Sequence, residues 1–226
     1  MHTHLITRTA RAAGALYAVI IAAGIWSELG VRARLIQPGD AEATWAAIGA
    51  HLPLLRASIA ADAVMLLADV ALSVLLFALL RHVHREVALT AMVLRLIQAA
   101  IIGASLLAPI GVVLLANADV TDPARSALFL MELHGAGYDF GLIFFGVNTV
   151  LTAWLLCRSG LVPVWLAGLL GGAGLVYLAG SFTRLLAPEV NALLQPAYAL
   201  PLLAETAFCI ALLAGLPRHR AAPRAA

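Results

Sequence analysis

Apolar residues run along this chain in six stretches long enough to cross a bilayer, and polar residues collect in the short pieces between them. The stretches cover residues 12–31, 54–80, 87–116, 126–157, 161–186 and 198–216. A helix rises about 1.5 Å per residue, so roughly 20 apolar residues cross a hydrocarbon core about 30 Å thick. The pattern predicts an all-α polytopic membrane protein, a single-domain bundle of six transmembrane helices over residues 1–226. Residues 217–226 read as a disordered basic tail. The longest polar connection, residues 31–53, contains Gln37-Pro38-Gly39-Asp40, a turn signature in which Pro fixes φ and Gly tolerates positive φ. Asp40 then caps a short helix over residues 41–51 near the outer surface, with Trp45 suited to the membrane interface. This helix reads as a connector, with a lid over the bundle as the alternative. Asp122-Pro123 marks the start of the fourth helix and residues 160–163 a tight turn. Residues 188–196 are expected outside the membrane, with one helical turn between the prolines.

Composition agrees with the pattern: 63% of residues are hydrophobic and 12% charged, and mean hydropathy is +0.98. The first stretch follows Arg8 and Arg11 as a signal peptide would. It lacks a small-x-small site after the apolar run, so it reads as a retained span. Cys157 and Cys209 behave as small apolar residues, without metal-type spacing. His82 and His84 sit between Arg81 and Arg85, where repulsion disfavours a metal. Gly168, Gly171, Gly172 and Gly174 suggest close helix packing. Ala13-Gly14-Ala15-Leu16-Tyr17 is similar to Ala173-Gly174-Leu175-Val176-Tyr177. The two lie in spans that run the same way, so the match is no inverted repeat and reads as coincidence of composition.

The net charge is +2, and arginine carries every permanent positive charge. Arg8, Arg11, Arg81, Arg85, Arg158, Arg218, Arg220 and Arg224 fall on one side of the six spans. Arg32, Arg34, Arg56, Arg125 and Arg184 fall on the other, and Arg95 lies inside a span. Positive charge in short loops favours the cytoplasm, so both termini are expected there. Clusters of this kind are topology signals, not a nucleic-acid surface.

The acids inside the spans are the more informative charges. An ionisable group within a bilayer is costly and marks a functional hypothesis. Counting from the flanking arginines puts Asp69 at roughly 18 Å, Arg95 at roughly 15 Å and Glu205 at roughly 20 Å. Asp69, Arg95, Gln98 and Glu205 are therefore candidates for a buried ion-pair group near the midplane, with Asp69–Arg95 the first choice. Glu28, Asp62 and Asp139 lie higher, at roughly 26–28 Å. Arg32, His134, Tyr138, Ser181 and Arg184 share that level. Glu28, Arg32, Asp62, His134, Tyr138, Asp139 and Ser181 form the candidate ligand-binding set. The fourth span carries polar groups on two sides and is expected at the centre of the bundle.

Polar groups can also simply join helices, at about 0.6 kcal/mol per hydrogen bond. Glu28, Asp62, Asp139 and His134 could together chelate a metal, and His134 could carry a proton. No Walker, H-E-x-x-H, G-x-S-x-G or dinucleotide signature is present. Accordingly no metal, cofactor or catalytic residue is assigned.

Several segments carry a resemblance. Pro38-Gly39-Asp40-Ala41-Glu42-Ala43-Thr44, Leu55-Arg56 and Ala60-Ala61-Asp62 are among them. So are Leu133-His134-Gly135-Ala136-Gly137-Tyr138-Asp139-Phe140-Gly141, Arg158-Ser159-Gly160-Leu161-Val162-Pro163 and Tyr177-Leu178-Ala179-Gly180-Ser181-Phe182. Together they resemble the bacterial multipass domain-of-unknown-function 4386 family over about residues 8–216. Departures occur at Ala47, where many members have Asn, and at Asn148, where His is common. The resemblance implies an integral protein of the bacterial inner membrane with a shared outer polar cluster. It implies no activity.

Three functions follow as expectations. The first is a membrane protein that binds or passes a small or lipidic ligand through an outer cavity lined by Glu28, Asp62, His134 and Asp139. The second is an intramembrane enzyme acting on a lipid or isoprenoid through Asp, Glu and His. The third is a structural or interaction subunit whose ion pairs set register. Membrane lipid is the expected partner, and the sequence leaves the oligomeric state open.

Overall fold

The computed structural model describes residues 2–216; the basic tail expected at 217–226 lies outside the described residues. Among the described residues every regular element is a helix. Six helical spans are long and apolar enough to cross a membrane: His4–Leu35, Leu52–Leu80, Arg85–Leu115, Pro123–Ser159, Val164–Leu186 and Pro188–Ala214. The protein is a multi-pass membrane protein built as a bundle of six such helices.

Local chemistry sets the ends. Asp122 caps the fourth span by accepting from the Arg125 amide at 3.0 Å, and Pro123 occupies the first turn, where its missing N–H costs nothing. The same span stops at Gly160, whose φ of 66° is left-handed. Asp40 caps the surface helix Ala41–Ala50 through the Ala43 amide at 2.9 Å.

Two spans are longer than their apolar cores suggest. The first does not stop at Val31 but passes through a π-helical segment, Trp26–Arg32, to Leu35. The sixth absorbs the expected external link: Pro188–Leu194 is helical, Gln195–Tyr198 is a 3₁₀ turn, and Ala199–Ala214 completes it. Proline there tightens the helix instead of ending it, because each one sits in the first turn of a new segment. The third span breaks at Leu106 between Arg85–Ser105 and Leu107–Leu115. Pro109 explains the break, since its ring displaces the carbonyl four residues earlier, that of Ser105.

The spans close into a ring in chain order. Each packs on the next, and the sixth returns to the first. Across the ring, among the described residues, backbones come close only between the second and fourth spans, over a short stretch. The fourth span is therefore a ring member between the third and fifth. Of the six it is the most buried, and its two polar sides face its two neighbours. Gly146 and Gly174 let the fourth and fifth spans approach closely. A Cβ on Gly174 would lie 2.8 Å from the Gly146 carbonyl. Gly168, in contrast, faces open space.

The end of the bundle that carries Arg81 and Arg158 is called the base, and the end that carries Glu28 the top. A large apolar core fills the base, including Ala13, Tyr17, Leu72, Leu156, Leu170 and Phe208. A smaller one at the top joins Val31, Ile48, Leu55, Val112 and Met131. Ile48 gives the surface helix its place in that second core.

Candidate functional site

At least one polar tie joins every neighbouring pair of spans around the ring. Arg32 of the first donates to Asp62 of the second at 2.5 Å and to Glu28, one turn back, at 2.8 Å. Arg95 of the third donates to Asp69 of the second at 2.7 Å. His134 of the fourth lies 3.2 Å from the Ser105 carbonyl of the third. Arg184 of the fifth pairs with Asp139 of the fourth at 2.8 Å. Tyr177 of the fifth donates to Glu205 of the sixth at 2.6 Å. Tyr17 of the first interacts with the same carboxylate and closes the circuit.

Two of the ties have a local cause. The π segment inserts an extra residue into the turn, and such insertions re-aim the side chains that follow. It leaves Arg32 buried and Glu28 exposed. Pro109 frees the Ser105 carbonyl, and His134 replaces the lost amide donor. The Ser105 hydroxyl already donates to Ile102 at 2.7 Å. The proton on the imidazole therefore belongs on Nδ1, an assignment made from the hydrogen-bond network. Nε2 has no hydrogen-bond partner among the described residues.

The structure thus divides the residues that depth alone had grouped. Glu28, Arg32 and Asp62 come together. His134 and Tyr138 stack edge-on at 6.2 Å, but His134 is committed to Ser105. Asp139 turns to Arg184, and Ser181 is fully buried, its hydroxyl without a hydrogen-bond partner among the described residues. Of Glu28, Asp62, His134 and Asp139, expected to line one cavity, only Glu28 borders the large cavity among the described residues; the other three are drawn into separate helix–helix ties. Among the described residues no three His, Cys, Asp or Glu side chains could hold one metal ion, so the shared-ion reading of that set has no geometric basis. In the midplane group, Glu205 does not join the ion pair. Its partners are tyrosines, and Arg95 is closed on its two faces by Tyr17 and Phe145, at 5.5 and 5.0 Å.

The space in the molecule lies elsewhere. Because the spans form a ring, a cavity of about 340 Å³ remains between them, within the common range of about 300–1,000 Å³ for ligand pockets. All six spans contribute to its wall. Its polar lining consists of Glu28, Asp69, Arg95, Gln98, Glu205, Thr206 and three tyrosines, Tyr138, Tyr177 and Tyr198. Phe145, Tyr177 and Tyr198 form an edge-to-face series, with centroids 5.2 and 6.2 Å apart. The surface helix contributes nothing to the wall and so is not a lid over this cavity.

The cavity opens sideways. Its exposed wall residues, Ile25, Glu28, Leu29, Leu202 and Thr206, all belong to the first and sixth spans. Below them the two spans meet tightly. Gly14 abuts Leu213, the Cys209 thiol reaches the Gly14 carbonyl at 3.4 Å, and Tyr17 packs on Phe208 at 6.0 Å. The seam is closed toward the base and parted toward the top.

Depth counting missed Tyr17, Tyr177 and Tyr198. A signal for two of them existed: the similar stretches ending at Tyr17 and Tyr177 both deliver a tyrosine to Glu205, each with a glycine three residues before it that seats the helix on a neighbour.

A family model described as domain of unknown function (DUF4386) matches residues 12–215. No curated protein and no solved structure matches the chain.

Proposed function

The chain belongs to the domain of unknown function (DUF4386) family, and from that premise we propose that it binds a small amphiphilic or lipidic ligand in the cavity between its six spans. The side opening carries this reading. Ile25, Leu29 and Leu202 flank it, 41%, 65% and 52% exposed, at a level where the surroundings are hydrocarbon. The wall behind them is polar and aromatic. A molecule with an apolar tail and a polar head matches both parts. The tail remains among lipid chains and the head reaches the midplane residues without crossing water. A purely structural role accounts for the ties between spans but not for the hollow they enclose. For an enzyme, His134 and Asp139 would have to meet a substrate, and neither lines the cavity.

The bilayer in question is proposed to be a bacterial inner membrane, with both termini cytoplasmic, on the arginine distribution. Alkaline phosphatase fused at the C-terminus should be inactive, and fused within residues 117–122 active. The reverse pattern would invert the topology.

Ligand binding is tested by extracting the protein with its surrounding lipid in polymer-bounded discs and identifying co-purified molecules by mass spectrometry. At least one amphiphile should be enriched over bulk lipid and depleted in Leu202→Trp, which fills the opening. Identical lipid profiles for the two proteins would sink the proposal.

A further inference from the structure

The charges around the cavity do not balance, and the imbalance specifies a head group. This inference rests on the cavity being a ligand site. Near the midplane the wall carries Asp69, Arg95 and Glu205. Arg95 is spent on Asp69, which it meets through two nitrogens at 2.7 and 2.5 Å, and aromatic rings cover its faces. Among the described residues no cation lies within ion-pair distance of Glu205, which accepts from the Tyr177 hydroxyl and interacts with that of Tyr17. Glu205 is nonetheless partly exposed, between buried Ala204 and Phe208. Halfway along a helix of the ring, the cavity is what it is exposed to.

The neighbouring polar groups have the same character. Asp69 and Gln98 each keep a buried oxygen, and Arg95 one nitrogen, without a hydrogen-bond partner among the described residues. Two carboxylates and an amide oxygen thus line the wall, with one guanidinium already engaged. Tyr138, Tyr177 and Tyr198 add ring faces, which attract cations. Toward the top, Glu28 and Asp62 share the single cation Arg32, so the rim repels anions as well.

We infer that the ligand is a cationic amphiphile, a single-chain amine whose ammonium pairs with Glu205 and whose tail leaves between the first and sixth spans. A primary ammonium has three donors for Glu205 and for the spare acceptors of Asp69 and Gln98. A carboxylate or phosphate head would meet Arg95, the one cation on the cavity wall among the described residues, only in competition with Asp69. Binding is non-covalent, and no bond is made or broken.

The test uses the full chain in phosphatidylcholine nanodiscs with radiolabelled dodecylamine, dodecanol and dodecanoate, three probes that differ only at the head. Wild-type protein should retain the amine at least ten-fold more tightly than the alcohol, and the carboxylate least. Glu205→Gln, which can still accept from Tyr177, should lose that preference. Glu189→Gln, exposed and remote from the cavity, should keep it. The wild-type ranking stands even if Glu205→Gln does not fold, and Glu205→Asp then supplies a charged variant that should keep the preference with weaker binding. Tighter retention of dodecanoate would overturn the ammonium inference and leave the cavity reading intact. So would an amine preference that persists in folded Glu205→Gln. Failure to retain any of the three would remove the cavity reading and this inference with it.

Discussion

Asp69 and Arg95 lie on adjacent spans, each about 95% removed from solvent, and this burial fixes what mutation should do. Removing one member of a buried pair leaves an uncompensated charge, at a cost of about 3–5 kcal/mol, whereas replacing both with apolar residues is often neutral. Asp69→Leu should therefore lower the midpoint of detergent-induced unfolding far more than the double variant Asp69→Leu/Arg95→Met. Equal losses would mean that the pair is not what stabilises the contact. Tyr177→Phe removes the donor to Glu205 and should cost about 1–3 kcal/mol in the same assay. An unchanged midpoint would show that Tyr17 alone satisfies the carboxylate. Depth counting from sequence sets Asp69 and Arg95 level on consecutive helices, and the structure joins them. It also sets Glu205 level with them, yet Glu205 meets tyrosines instead. Height along a helix is readable from residue number, but rotation about its axis is not.

At the scale of the helix, single residues decide where an element ends and how closely it packs. Asp40→Ala deletes the cap of the surface helix, and caps are worth about 0.5–2 kcal/mol. Hydrogen exchange over residues 41–50 should accelerate while that in the fourth span stays unchanged. Gly174→Ala drives a methyl onto the Gly146 carbonyl and Val150. Overpacking of this kind costs about 1–3 kcal/mol and should appear as a lower unfolding midpoint. Gly168→Ala, with open space at its Cβ, should leave the midpoint alone, and a matching loss there would refute the packing argument. The caps were legible because side chain and backbone meet within a few residues. The π segment was not, because a seven-residue stretch with one extra residue per turn looks like any other in hydropathy. The consequence of Pro109 was half legible. The freed carbonyl could be foreseen, but not its capture by a histidine from another span.

For the molecule as a whole, the ring explains both the ties and the hollow. Helices that pack mainly on their neighbours in a circle leave space at the centre above the packed base, and lost packing there costs stability. Filling a cavity commonly adds about 0.5–2 kcal/mol, with function as the recurrent loss. Leu142→Phe, which adds bulk to the wall, should raise the unfolding midpoint and reduce retained amphiphile. A variant that gains stability and keeps its ligand would place the ligand elsewhere. The six ties have a matching role. In a bilayer apolar side chains give little preference for one neighbour over another, so a polar contact at each seam selects the partner and its register.

Sequence by itself determined the number of spans, their approximate heights and the solvent that surrounds them. Those properties depend on hydrocarbon thickness and on the cost of exposing backbone and charge within it, and both act along a single helix. It also placed the chain beside its family through short local segments. Tertiary structure alone decided which faces turn inward. One residue corresponds to about 100° of rotation around a helix, so a single π insertion or a proline break reassigns every partner beyond it. The separation of the upper acids into distinct ties, the convergence of tyrosines on Glu205 and the side opening between the first and sixth spans all follow from those angles. Six helices packing together set them, and no one segment encodes them.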